Sequence, residues 1–138
     1  MTPEVLAALH SRAFAGQGRG WSAQEFGDLL AAPHVFCVTS DAGFALGRAL
    51  AGEAELLTLA VDPAEQRAGH GAALLSAFED EAAIRGASRA FLDVSAQNTA
   101  ALALYRRARY HEVARRAGYY HCPGGGTADA LILAKDLP

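Results

Sequence analysis

The chain predicts one mixed α/β (α+β) domain, and three observations carry this. Its 138 residues fall in the ~100–200 range of a single domain. Its elements read α-α-β-β-β-α-β-α-β-β, which is neither strict β-α alternation nor an all-β layout. No linker, internal repeat or second domain is visible along it.

Each element follows from local chemistry. Pro3 to Ala15 places Val5, Leu6, Leu9 and Phe14 at helical spacing, and Gly16 to Gly20 breaks the pattern. Ser22-Ala23-Gln24-Glu25 is a capping box that starts a helix, and Pro33 ends it after about Ala32. Val35–Thr39 and Phe44–Leu50 read as strands joined by a turn at Ser40-Asp41-Ala42-Gly43, and Glu55–Val61 as a third strand. Gly71–Arg85 is a helix with Leu74, Leu75, Phe78 and Ala82 on one face and Gly86 as its C-terminal stop. Arg89–Val94 is a strand, and Asn98 caps a helix running to Ala108. Tyr110–Arg116 and Ala130–Lys135 are the last strands, with a glycine-rich loop from Gly118 to Thr127 between them.

Composition narrows the class. The apolar fraction is 51%, but 32 of the residues are Ala, so the bulky core must come from 17 Leu and a few Val, Ile and Phe. Twelve Lys and Arg against 15 Asp and Glu leave a net charge of −3, which argues against a dedicated nucleic-acid binder. No apolar run approaches the ~18 residues of a membrane span, and the first residues lack the basic and apolar regions of a signal peptide. Cys37 and Cys122 are too few and too far apart for a disulfide framework, so free thiols in a reducing cytoplasm are expected. The five histidines form no i,i+4 pair and meet no Cys-x-x-Cys, so no metal site is expected.

The chemistry starts where the third strand runs through Asp62-Pro63 into Gln66-Arg67-Ala68-Gly69-His70-Gly71-Ala72 and a helix. A helix N-terminus offers unpaired N–H donors and a positive dipole end, glycines admit close approach, and Arg67 adds a cation. Three readings stand side by side. One is a helix start that tolerates two glycines. One is a dinucleotide fingerprint, although Leu74 holds its third glycine position and seven residues separate Val61 from Gly69. The third is a pyrophosphate loop of the Gln-x-x-Gly-x-Gly type.

With Leu59-Ala60-Val61-Asp62-Pro63 ahead of that loop, Phe91-Leu92-Asp93-Val94 and Asn98-x-x-Ala101-x-x-Leu104-Tyr105 come after it. Trp21-Ser22 lies upstream, and Tyr119-Tyr120 stands before Asp129-Ala130-Leu131-Ile132. With this ordered set the chain resembles the GNAT superfamily of N-acetyltransferases. More narrowly, it resembles the bacterial ribosomal-protein alanine N-acetyltransferase (RimI-like) branch. The resemblance implies the GNAT fold, a mixed central sheet with splayed strands and flanking helices. It implies acetyl-CoA as cosubstrate, with Leu59, Ala60 and Val61 hydrogen-bonding the pantetheine arm. Arg67, Ala68, Gly69, His70, Gly71 and Ala72 would wrap the pyrophosphate, and Asn98 would hold the pantetheine region. It implies Tyr105 as the general acid toward the departing thiolate, and Asp93 where the best-known members carry a glutamate base.

The implied chemistry suits these residues. An α-amine with a pKa near ~7.7–8.0 is partly neutral at cytoplasmic pH, so the base has a modest task. Asp is one methylene shorter than Glu, which favours a water relay. Asp93 also reads as a strand-end acid capping nearby amides, and Tyr105 as a core tyrosine. Asn98 and Tyr105, seven residues apart, share a helix face. Tyr119 and Tyr120 suit gripping a substrate peptide or shielding strand ends. Arg106, Arg107, Arg109, Arg115 and Arg116 read as RNA contacts, as phosphate contacts, or as cations at a helix C-terminus followed by a solvated strand face; the last is favoured.

Departures are specific. Pro3 starts a helix almost at once, so the family's N-terminal strand is expected to be missing or reduced. Ala68 replaces a common second Arg, and Arg109 stands where a Gly is usual. The expectation is a cytoplasmic acetyl-CoA-dependent N-acetyltransferase, monomer or homodimer, acting on the N-terminal alanine of a ribosomal small-subunit protein. The alternatives are a small amine acceptor, such as a polyamine or amino acid, or a catalytically weak acyl-CoA-binding regulator.

Overall fold

Local rules fix where the helices begin and end. In the computed structural model, which describes residues 1–14, 20–66, 68–122 and 124–138, Thr2 caps α1 (Pro3–Ala13) through the Val5 amide. Ser22 and Glu25 form the expected capping box on α2 (Ala23–Ala31). α3 (His70–Ile84) ends in a Schellman motif: Gly86 sits at φ +89°, its N–H donates to Ala83 O and the Ala87 N–H to Ala82 O. α4 (Thr99–Arg107) starts on the Asn98 side chain and ends in the same motif, but with Arg109 at φ +75° where glycine would be unstrained.

Among the described residues six strands form one sheet: β1 (Val35–Thr39), β2 (Gly43–Leu50), β3 (Glu53–Val61), β4 (Arg89–Ser95), β5 (His111–His121) and β6 (Thr127–Asp136). Their order is β1-β2-β3-β4-β6-β5, and only β3–β4 is parallel. Among the described residues no strand precedes α1, and no helix is long and apolar enough to cross a membrane. Strand alternation splits the core by face. Phe36, Ala45, Leu56, Ala90, Leu92 and Leu133 pack with Leu74, Leu75 and Phe78 of α3 and Tyr105 of α4. Phe44, Leu46 and Ala60 pack with Leu6 and Leu9 of α1 and Phe26 of α2.

Two bulges shape the site end of the sheet. Leu46 pairs with Thr58 but Gly47 with Leu56, leaving Leu57 as the extra residue on β3. The bulge inverts the phase of the strand: Leu56 faces α3 and α4, Leu57 and Ala60 the other side, and Leu59 and Val61 the α3–α4 side again. The second lies between Arg116 and Tyr120 of β5. Gly118, at φ +60°, turns the backbone there, so the strand continues to His121 where the sequence suggested a loop from Gly118 to Thr127. Tyr119 and Tyr120 therefore stand on the strand itself.

Candidate active site

The cavity is made by strands that part. β3 and β4 pair only from Glu53 to Glu55 against Arg89 to Phe91. Beyond Phe91 the ladder stops, because β4 stays paired with β6 up to Ser95 while β3 stays with β2 up to Val61. The wedge between them opens into a cavity of about 810 Å³, walled by Leu56–Leu59, Leu92–Ser95 and the first turns of α4. Among the described residues the β3 backbone edge facing the wedge has no strand partner beyond Glu55, which leaves backbone N–H and C=O groups there for an extended polar chain, as in strand addition.

The glycine turn abuts this cavity without lining it. Asp62 caps a short 3-10 turn, Pro63–Glu65, through the Ala64 amide, and its own N–H donates to Ala42 O at 2.7 Å. Its carboxyl is held below the usual range by that amide bond, with Arg12 on α1 adding to it at 3.2 Å. Gly69 is the N-cap of α3 at φ +79° with no side-chain cap, so among the described residues the amides of the first turn have no side-chain partner. Gly71 sits against the cavity wall: a Cβ there would lie 3.4 Å from Leu104 of α4, an ordinary van der Waals contact. The helix start and the cavity thus share a wall. Arg67 lies outside the described residues.

α4 brings the polar groups in. The Asn98 side chain accepts from the Ala101 amide at 3.2 Å, and two turns later Tyr105 faces the same cavity. The C-terminal end of α4 holds Tyr105 in place: the Schellman closure sets Tyr110 edge-on to it at 5.9 Å. The Tyr110 hydroxyl donates to Glu79 at 2.9 Å, and Glu79 takes Lys135 at 2.9 Å. Every fully enclosed side-chain nitrogen and oxygen among the described residues is bonded, whereas the Tyr105 hydroxyl has no such partner. The 92% buried ring therefore opens its hydroxyl to the cavity. Burial, with the neighbouring Tyr120 adding to it, pushes its pKa up to about 12. The Tyr120 phenol is raised as well, by burial first and then by Asp93 and Tyr119, so Asp93, Tyr120 and Tyr105 stand within electrostatic reach in one cavity.

Leu59, Asp93, Asn98, Tyr105 and Tyr120 are thus brought together. Ala60 turns to the α1–α2 core, and Val61 packs toward α3 and α4. Ala68, Gly69, His70, Gly71 and Ala72 lie at the helix start beside the cavity. Tyr119 is not brought in: it is half exposed, stands edge-on to Tyr120 at 5.1 Å, and lies under the Arg116 guanidinium at 5.3 Å. The arginine stretch is largely engaged locally. Arg115 pairs with Asp129 at 3.1 Å and Glu112 at 3.7 Å, and Arg106 and Arg107 occupy the last turn of α4. Among the described residues no three metal-ligating side chains cluster.

Of the cavity residues that the sequence did not mark, His10 is the most deeply buried polar one. His10 of α1 is 96% buried, stacked between Phe14 at 4.4 Å and Trp21 at 5.1 Å, with the Phe26 ring edge-on at 5.6 Å. The available signal was the i,i+4 pair His10–Phe14 facing Trp21 just before the capping box. Burial lowers its pKa from 6.5 to about 4, against a smaller opposing pull from Glu25. The unfolded imidazole therefore protonates first, so the contribution is complete above pH 6.5 and is lost as the pH falls toward 4. Between pH 7 and pH 5 the protein is expected to lose ~2 kcal/mol of stability by this linkage. Urea midpoints at the two pH values measure it. An equal midpoint at both, or an unchanged slope in His10→Phe, would contradict the assignment.

Relatives match this geometry. The acetyltransferase (GNAT) family model matches residues 5–109. The chain is 42% identical over 96 residues to the ribosomal protein bS18-alanine N-acetyltransferase of Escherichia coli strain K12. That match takes in 70% of this chain and only 64% of the length of the E. coli enzyme. It is 36% identical over 139 residues to the N-alpha-acetyltransferase RimI of Mycobacterium tuberculosis, covering 94% of this chain and 84% of that one. The crystal structure of the E. coli ribosomal-protein-S18-alanine N-acetyltransferase superposes with a TM-score of 0.84 at 34% identity, over 95% of this chain and 84% of that one. A parted β3–β4 pair, a glycine-capped α3 beside it and this degree of likeness lead to one conclusion: the chain belongs to the GNAT acetyltransferase family.

Proposed function

We propose that the protein is an acetyl-CoA-dependent N-acetyltransferase whose acceptor is the N-terminal amine of a protein, in first place an alanine of a ribosomal small-subunit protein. The observation that supports it most is the cavity between β3 and β4, where Asp93, Asn98, Tyr105 and Tyr120 converge. The acceptor is proposed because both named relatives are N-terminal or ribosomal-protein acetyltransferases.

The residues fit the cosubstrate. The uncapped first turn of α3, entered through Gly69, suits a diphosphate, and the unpaired β3 edge suits the amides of a pantetheine arm. Bound acetyl-CoA supplies a thioester carbonyl open to attack by a neutral amine. Asp93, exposed to the cavity, takes the amine proton directly or through water. Backbone N–H groups near Val61 stabilise the oxyanion. Tyr105 directs its O–H at the sulfur. Holding amine and thioester together supplies much of the rate.

Acetyl-CoA at about 100 times its Kd is expected to raise the melting temperature by roughly 8–10 °C, while NADH leaves it unchanged. CoA release should then accompany addition of Ala-starting peptides from a panel that includes polyamines and free amino acids. No thermal shift with acetyl-CoA sinks the assignment. A shift without CoA release from any amine leaves a binding protein instead, and turnover of the small amines alone moves the acceptor to that class.

A further inference from the structure

Three features outside the assigned chemistry face or flank the cavity: Cys122 beside Gln97 at 3.5 Å, the exposed edge strand β5, and His10. The last carries an inference, because its hydrogen-bonding state is determined by its surroundings.

The backbone N–H of Trp21 donates to Nδ1 of His10 at 3.4 Å. Nδ1 is therefore the acceptor nitrogen, and in the neutral ring the proton sits on Nε2. Nε2 has no partner among the described residues, although every fully enclosed side-chain nitrogen and oxygen there is bonded. The Nε2–H therefore opens onto the cavity that His10 lines together with Asp93 and Tyr120. Stacking on Phe14 and Trp21 fixes the ring plane, so the donor is aimed before any substrate arrives.

Such a group is a hydrogen-bond donor and nothing else. Its one lone pair is engaged by Trp21, so it takes no proton from an attacking amine, and it brings no charge beside an acceptor that arrives as an ammonium. A donor-only group in an acceptor pocket fits an oxygen close to the reacting nitrogen. The amino-acyl amide of a peptide N-terminus carries one, the first carbonyl, on the carbon next to the amine-bearing carbon. A polyamine or simple alkylamine carries none and strands the donor.

We propose that His10 is a specificity-determining residue that donates Nε2–H to the first carbonyl oxygen of the acceptor, selecting α-amino-acyl amides over amines without that carbonyl. The proposal rests on the acetyltransferase reading above.

The test compares an Ala-starting peptide with its analogue in which the first C=O is reduced to CH₂, both scored by CoA release per neutral amine. Wild-type protein should favour the carbonyl acceptor in kcat/KM by about tenfold or more, the worth of one neutral hydrogen bond and an avoided stranded donor. His10→Phe keeps the ring stack and removes the donor. It should bring the ratio to about one, with the acetyl-CoA thermal shift and the rate on the reduced analogue retained. His10→Gln, which places an amide N–H at a similar reach, should restore much of the preference. A wild-type ratio near one overturns the proposal without any variant, and so does a full ratio in His10→Phe. Comparable turnover of both acceptors overturns the role of His10 alone. An absence of turnover with every amine overturns the acetyltransferase reading and this inference with it.

Discussion

Tyr105→Phe is expected to lower kcat by ~10²–10³-fold, in the range of one hydrogen-bond donor aimed at developing charge, with acetyl-CoA affinity nearly unchanged. The substitution removes one oxygen that has no hydrogen-bond partner among the described residues and leaves the ring edge-on to Tyr110, so packing and the α4 cap stay as they are. The raised pKa, about 12, sharpens the role. A phenol of ordinary pKa near ~10 would pass its proton to a thiolate near ~8.5 at moderate cost. One near 12 transfers it less readily, so its main contribution is a hydrogen bond to the sulfur as negative charge builds there. With its pKa raised, the phenol stays protonated and donating as pH rises through the ordinary tyrosine range, so no loss of rate below about pH 10 should come from Tyr105. Steady-state kinetics from pH 7 to 10, with acetyl-CoA titrated separately, measure both claims. Full activity in Tyr105→Phe would remove Tyr105 from the chemistry, and a kcat fall matched by an equal loss of acetyl-CoA binding would make it a binding residue.

What the sequence made legible is what local rules determine. The box at Ser22 and Glu25, the Asn98 cap, the stop at Gly86 and the apolar face of α3 each depend on residues within one or two turns, and each stands where it was expected. The candidate residues Asp93, Asn98 and Tyr105 were legible through an ordered resemblance. The parting of β3 from β4 was not, because it depends on which other strand each one keeps, a property of the whole sheet. The Leu57 bulge leaves no local mark, since an apolar run reads the same in either phase. β5 was cut short because Gly118 is a loop signal in one dimension; in the sheet its positive φ and the Asp129 carboxylate, which accepts its N–H at 3.0 Å, let the strand pass through a bulge. His10 was invisible as a cavity residue because its partners Trp21 and Phe26 come from the next helical segment and its connection.

Gly43→Ala is the substitution that should test the splayed strand most severely, with an expected destabilisation of at least ~3 kcal/mol, the upper range for overpacking. Gly43 pairs with Val61 at the tip of β3. A Cβ there would fall on the Ala60 carbonyl oxygen and lie 3.0 Å from both the Ala60 carbonyl carbon and the Val61 Cα. The obstacle is backbone, so no side-chain rotation relieves it. Gly47 differs in this respect: its added Cβ meets the Phe78 and Phe36 rings, at 2.5 and 2.8 Å, which have some freedom to move. To admit the methyl group, β3 must move away from β2 over Leu59–Val61, the segment proposed to bind the pantetheine arm and to stabilise the oxyanion. The tip is tied on both sides, by the Asp62 N–H to Ala42 O and by the Ser40 N–H to Gly43 O at 2.9 Å, so the displacement cannot be absorbed without breaking a bond. Stability and cosubstrate affinity should therefore fall together, with acetyl-CoA Kd rising tenfold for each ~1.4 kcal/mol of lost binding. Gly124→Ala is the matched control: its Cβ meets nothing within 4 Å, and no positive φ holds it. Urea melts and acetyl-CoA titrations of the two variants separate the effects. If Gly43→Ala melts with Gly124→Ala and binds acetyl-CoA as the parent does, the β2–β3 tip is not the rigid edge on which the proposed cosubstrate site depends.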